Sequence, residues 1–246
     1  MSSLILAHTR YLMIEQLRVP IGLVASSFFP AATMLAFVVP FAGDNPVAAT
    51  ASTGSMMLFG AISAALISLS ISVSQDREQP WNPFLRTLPA GPLPAFAGRI
   101  VTTVIAMVIS VIPVLIIAAV LTTAQITPVR LALALGALVV ATIPFMLLGL
   151  FIGYMMPSKG AIAVSQVAFF PLAILGGLLL PLQMMPSFVQ TLSLFLPSRG
   201  AGELMWWAVA GAAPNVTALV TLAGWIVVTA VLAAWAYHRD EGRRFS

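Results

Sequence analysis

The side chains able to do acid–base or nucleophilic chemistry are few and badly spaced for it. The two histidines, His8 and His238, stand near opposite ends of the chain. A general acid or base must reach the proton it moves within hydrogen-bond distance, and neither has a motif around it. No H-E-x-x-H, no G-x-x-x-x-G-K-[ST] phosphate loop and no G-x-S-x-G elbow occurs. Cysteine is absent, which removes thiolate metal sites and disulfides. The expectation is a chain without catalytic residues that binds no cofactor or metal of its own. One cluster does stand out. Asp76-Arg77-Glu78 is followed by Trp81, Phe84, Leu85, Arg86, Leu88 and Pro89. Aromatic residues and arginine beside aliphatic ones are the composition of a protein interface. The same residues could equally dip into a membrane surface, and physics alone does not choose.

The elements that hold this cluster follow from composition. Of 246 residues, 60% are hydrophobic and 7% charged, against about 25% charged in soluble domains, and mean hydropathy is +1.05. Too few charges are present to cover a water-facing surface, so lipid must solvate most of the chain. A spanning helix needs about 20 mostly apolar residues. Six segments qualify, at 19–41, 53–74, 100–123, 129–154, 161–180 and 216–237. The fold class expected is an all-α membrane protein, with residues 1–246 forming one transmembrane domain. If the N-terminus is cytoplasmic, nine of the 11 Lys and Arg fall on the cytoplasmic side, leaving Arg130 and Arg199 outside. That bias orients the chain, and an even number of spans places both ends in the cytoplasm. The net charge of +4 is then an orientation signal. Its arginines are scattered and form no patch, so a nucleic-acid partner is not expected.

Two flanking segments need their own reading. Residues 1–18 lack a signal-peptide pattern and are expected to be retained. Leu6, Met13, Ile14 and Leu17 share a helical face with Arg10, which fits a short cytoplasmic interfacial helix; an extension of the first span is the competing form. Residues 182–215 are too apolar for an ordinary loop, yet Pro186, Pro197 and Pro214 cut them into pieces too short to cross the membrane. A re-entrant hairpin outside the cell is expected, with Trp206 and Trp207 near the headgroups. A seventh span would put the charged tail outside, against the charge bias.

The spans themselves carry no Asp, Glu, Lys or Arg in their interiors. Ion-coupled carriers usually place an ionisable group there, which disfavours a secondary transporter. Gln166 is the most conspicuous polar side chain within a span and reads as a helix–helix hydrogen-bonding partner. Pro30, Pro113, Pro144 and Pro171 fall near the middle of spans and can kink them. Gly149 and Gly153, four residues apart, permit close helix approach.

On two stretches the sequence resembles a known family, the permease subunits of type-2 ABC exporters. Their loop between spans two and three reads like E-R-E-x-G-T-L-E-x-L-L-x-T-P and ends near G-K or G-R. Asp76, Arg77 and Glu78 match its opening, Leu85 and Pro89 its later part, and Gly98-Arg99 its end. The departure is Pro80-Trp81-Asn82-Pro83, where the family has G-T-L-E. The second stretch is similar to the family's fifth span and outer hairpin. There Pro171, Gly176, Gly177, Pro181, Met185, Pro186, Phe188, Gln190 and Pro197 hold matching positions, and Gly176 and Gly177 are read with Gly149 and Gly153 as helix-packing glycines.

The resemblance implies a membrane permease subunit of an ATP-driven exporter in the bacterial inner membrane, moving a hydrophobic or amphipathic cargo such as a drug, lipid or peptide. It implies two copies of an ABC ATPase subunit, carrying the ATP and magnesium, and a second permease, identical or related. Residues 75–99 would be the cytoplasmic coupling loop to that ATPase. The alternatives from other classes are a non-transporting sensory or scaffold subunit and, less favoured, a secondary transporter.

Overall fold

The computed structural model describes residues 2–18, 21–80 and 93–242, and among these every regular element is helical. In hydrocarbon each backbone polar group must find its partner inside its own segment, and helices do this without edges. Helix α1 is Ser2–Arg18. Helix α2 runs as Ile21–Thr33, a π turn at Met34–Val38 and a last turn at Val39–Ala42. Helix α3 is Pro46–Glu78, with its own π turn at Ala64–Ser68. Helices α4, Leu93–Leu121, and α5, Pro128–Met155, follow, then α6, Ser158–Leu175. A short 3₁₀ turn at Leu182–Met184 precedes α7, Ser187–Ser193, and α8, Pro197–Ala210. Helix α9, Val216–Gly242, closes the chain.

Five helices, α3, α4, α5, α6 and α9, carry windows long and apolar enough to cross a membrane. In α2 the apolar part so characterised, Ser27–Ala42, is shorter. At about 1.5 Å per residue, the 14 residues of α8 fall well short of a bilayer core of about 30 Å.

Helix α3 is the hub. Its apolar window is 78% buried, against 22–44% in the other four, and α2, α4, α5, α6 and α8 all pack on it. Its sequence explains why. Gly54, Gly60 and many Ala, Ser and Thr leave room for neighbours, and Phe59, Met57, Leu58 and Ile62 fill the gaps. A Cβ on Gly60 would stand 3.1 Å from Pro30 Cγ of α2, so the kinking proline nests on the glycine. Buried hydroxyls return their protons to carbonyls of the preceding turn, as in Thr53 to Ala49 at 2.7 Å and Thr142 to Leu138 at 2.8 Å. These satisfy polar groups that no water reaches.

Several boundaries differ from the hydropathy expectation. Helix α3 runs past 74 through the charged residues to Glu78, because ion pairs to other helices hold its last turn. Helix α4 begins at Leu93, before the apolar run proper. Helix α6 stops at Leu175, short of 180. Gly177 has φ +79°, and the Leu178 N–H bonds Ala173 O while the Gly177 N–H bonds Ile174 O, each at 3.0 Å. That is a Schellman ending, which glycine permits and apolarity does not reveal.

Helix α3 is started by Asn45, whose side chain accepts from Val47 N and Ala48 N at 3.0 and 3.1 Å. Asn45→Ala removes that cap and is expected to lower stability by about 1 kcal/mol. Thermal unfolding of the purified protein should show a small downward shift without loss of the fold.

Candidate functional site

At the end of α3, three consecutive charged residues turn outward to different neighbours, since side chains on a helix advance about 100° per residue. Asp76 pairs with Arg99 of α4. Arg77 faces a different set of neighbours. Its Nε donates to Asp240 Oδ1 of α9 at 2.9 Å, and Nη2 meets the same oxygen. Its Nη1 donates to the carbonyls of Gly153 and Met156, at 2.9 and 3.2 Å, at the end of α5. Glu78 accepts from the backbone N–H of Ser158 at 2.8 Å and from its hydroxyl, at the start of α6. The tripeptide thus ties α3 to α4, α5, α6 and α9 at one end of the bundle.

Each contact has a local electrostatic reason. The last carbonyls of α5 have no intrahelical partner, and a cation there meets the negative end of the helix dipole. The first amides of α6 are in the opposite state and take a carboxylate. Asp240 is 4% exposed, and a buried carboxylate stays charged only when paired. The chain then leaves the helix, Gln79 being extended at ψ 136°. The other residues singled out after this triad, Trp81, Phe84, Leu85, Arg86, Leu88 and Pro89, lie outside the described residues.

The glycine pair of α5 seats that helix on α3. A Cβ on Gly149 would stand 2.7 Å from Ala65 O and 3.0 Å from Leu66 O, inside the π turn. On Gly153 it would stand 2.7 Å from Val73 Cβ. Gly176 is closed in by the Ser198 hydroxyl, and Gly177 by Leu182. At the triad end, α1 lies along α4, with His8 and Thr9 against Gly98 while Leu6 and Ile14 remain exposed.

The opposite end holds the hairpin. Pro181 opens the 3₁₀ turn. Gln190 Nε2 donates to Met185 O at 2.8 Å, and Pro186 leads into α7. Phe188 is exposed, and Pro197 is buried as the first residue of α8. Pro181 and Gln190 help line a cleft of about 730 Å³ between the hairpin, α2 and α3; Phe188 is not among its walls. Its floor is a network that hydropathy passed over. Arg199 pairs with Glu203 at 2.5 Å and stacks on Trp206, 5.4 Å from the ring centre. Trp206 Nε1 donates to Ser55 Oγ of α3 at 2.9 Å, and Glu203 Oε2 accepts from Asn215 N. The i,i+4 spacing of Arg199 and Glu203 was the available signal.

Among the described residues no three His, Cys, Asp or Glu come together to hold a metal. What the triad can do is mechanical, since it fixes the ends of four helices relative to the point where α3 leaves the bundle.

Residues 3–209 match the family described as ABC-2 type transporter. The chain belongs to the ABC-2 type transporter family. It is also 24% identical over 187 residues, 76% of each chain, to the Bacillus subtilis (strain 168) protein named "Putative transport permease YvfS". The chain is therefore a permease component of an ABC-2 type transporter, in a family whose members are not themselves catalytic and which implies an ABC ATPase partner.

Proposed function

We propose that this chain is the membrane-spanning subunit of an ATP-driven exporter, moving a hydrophobic or amphipathic substrate out of a bacterial cell. It crosses the inner membrane six times, with α2 as the first span and both termini cytoplasmic, where the arginine bias puts them. Two ATPase subunits carry ATP and magnesium, and a second permease, identical or related, completes the pathway. Residues 182–215 form a re-entrant hairpin on the outer face. The observation that supports this most is the triad. Whatever moves the segment after Glu78 pulls on α4, α5, α6 and α9 together. ATP binding on the partner closes the ATPase dimer, the loop following Asp76–Glu78 transmits the movement, and the spans shift between inward-open and outward-open states. Binding of ATP and cargo biases that equilibrium only through different affinities for the two states.

The test acts on the loop. Phe84→Asp or Leu85→Asp is expected to leave membrane insertion intact and abolish stimulated ATPase coupling in the reconstituted complex. Normal transport by both variants would remove the role assigned to these residues. Failure of the tagged chain to co-purify an ATP-binding subunit from its native host would favour a sensory or scaffold subunit instead.

A further inference from the structure

We infer that the cleft between the hairpin, α2 and α3 binds an amphiphile whose head carries phosphate or carboxylate oxygens. The argument begins with a mismatch on its floor. Glu203 has both oxygens engaged, Oε1 by Arg199 and Oε2 by the Asn215 N–H at 3.1 Å. Arg199 does not reach the same state. Its Nε is buried with no hydrogen-bond partner, and among the described residues no hydrogen bond leaves its Nη1. A guanidinium presents five donors, and a buried donor without an acceptor costs about 1–3 kcal/mol. Arg199 thus keeps donors that no group among the described residues accepts.

A second arginine, Arg130, lies against Gly211, between two residues of the cleft lining, Ala210 and Ala212, with Nη1 on Trp207 O at 2.9 Å. Arginine matches the oxygens of phosphate and carboxylate in a fork, so such a head gains both charge and geometry. The lining also includes the apolar residues Phe37, Val38, Met56, Leu178 and Leu194. An aliphatic tail buried there gains about 0.8 kcal/mol per CH₂. A free inorganic anion would use only the floor, and a neutral hydrocarbon only the walls. Binding stands on the cleft alone, and only its location in the outer leaflet rests on the exporter reading.

Trp206 is the built-in reporter. The test uses the full chain with Trp81, Trp207, Trp225 and Trp235 changed to Phe, in phosphatidylcholine nanodiscs. Phosphatidic acid brominated on its acyl chain is expected to quench Trp206 at least fivefold more strongly than equally brominated phosphatidylcholine at the same mole fraction. Arg199→Gln should abolish the preference. Two further variants keep the test decisive if that one does not fold. Glu203→Gln keeps an acceptor for Asn215 N and removes the anion, so the preference should rise. Ala51→Phe fills the apolar part and leaves Arg199 in place, so quenching should fall to the phosphatidylcholine level. Lauryl phosphate added from water separates the sources of the ligand. Displacement of the brominated lipid by it supports a site open to soluble amphiphiles, and displacement by phosphatidic acid alone supports a bilayer lipid. Displacement by millimolar inorganic phosphate would overturn the amphiphile reading. Equal quenching by the two brominated lipids, or a preference unchanged in Arg199→Gln, would overturn the site. None of these outcomes depends on ATPase coupling.

Discussion

Arg77→Ala is expected to destabilise the protein by about 3–5 kcal/mol, the usual consequence of breaking a buried ion pair by removing one member. Asp240 has only 3% of its side chain exposed, so water does not replace the lost guanidinium. The carbonyls of Gly153 and Met156 lose their donor in the same change. Denaturation in detergent should show a large loss, weakly dependent on salt, because a buried pair is poorly screened. Pairing the variant with Asp240→Asn separates the parts. If the loss of the ion pair dominates, the double variant recovers much of the loss, and the coupling energy measures the interaction. If the carbonyl contacts dominate, Arg77→Ala costs the same in both backgrounds. Arg77→Lys should recover only part, since one ammonium cannot span the carboxylate and two carbonyls as a fork does. Unchanged stability in Arg77→Ala would mean that the triad does not hold the helix ends.

Why the triad's partners escaped a reading of the sequence is physically clear. Hydropathy locates lipid-facing helices because hydrocarbon forces backbone self-satisfaction, so α4, α5 and α9 appear near their expected places. Helix ends answer to a different rule. Asp240 sits in the charged tail that follows the last apolar run and reads as solvated, and only the approach of α9 to α3 and α5 buries it. Ser158 has no distinguishing context in the chain, yet its amide becomes the partner of Glu78 once α6 begins beside α3. The Gly177 turn was visible as a glycine pair but not as an ending, because its left-handed φ is a property of the backbone. On the floor of the cleft, Arg199 was counted for orientation alone. Its neighbours Trp206, Ser55 and Asn215 come from three separate segments, and no local spacing joins Ser55 to Trp206. The Asp76-Arg77-Glu78 cluster itself was legible from its residue types, while the direction each side chain takes depended on the packing around α3.

Gly149→Val should have the other large effect. A Cβ at that position falls 2.7 Å from Ala65 O, 3.0 Å from Leu66 O and 3.4 Å from Leu66 Cα. All three are backbone atoms, so no side chain can rotate away, and α5 must move off the π turn of α3. Pushing helices apart in a close-packed core forfeits many small dispersion contacts at once. Overpacking of this kind typically costs about 1–3 kcal/mol and occasionally more, and valine adds two methyls beyond the Cβ that already clashes. The displacement also carries Gly153, whose carbonyl accepts from Arg77, away from the triad. The expected result is a marked fall in folded yield and in thermal stability, with proteolysis increasing at the triad end. Gly136 lies on the same helix with nothing within 4 Å of its would-be Cβ. Gly136→Ala should therefore be neutral or stabilising by up to about 1 kcal/mol, from helix propensity alone. If both substitutions behave alike, the close approach at Gly149 is not what seats α5 on α3. A contrast between them would identify the π turn as the contact on which α5 is seated.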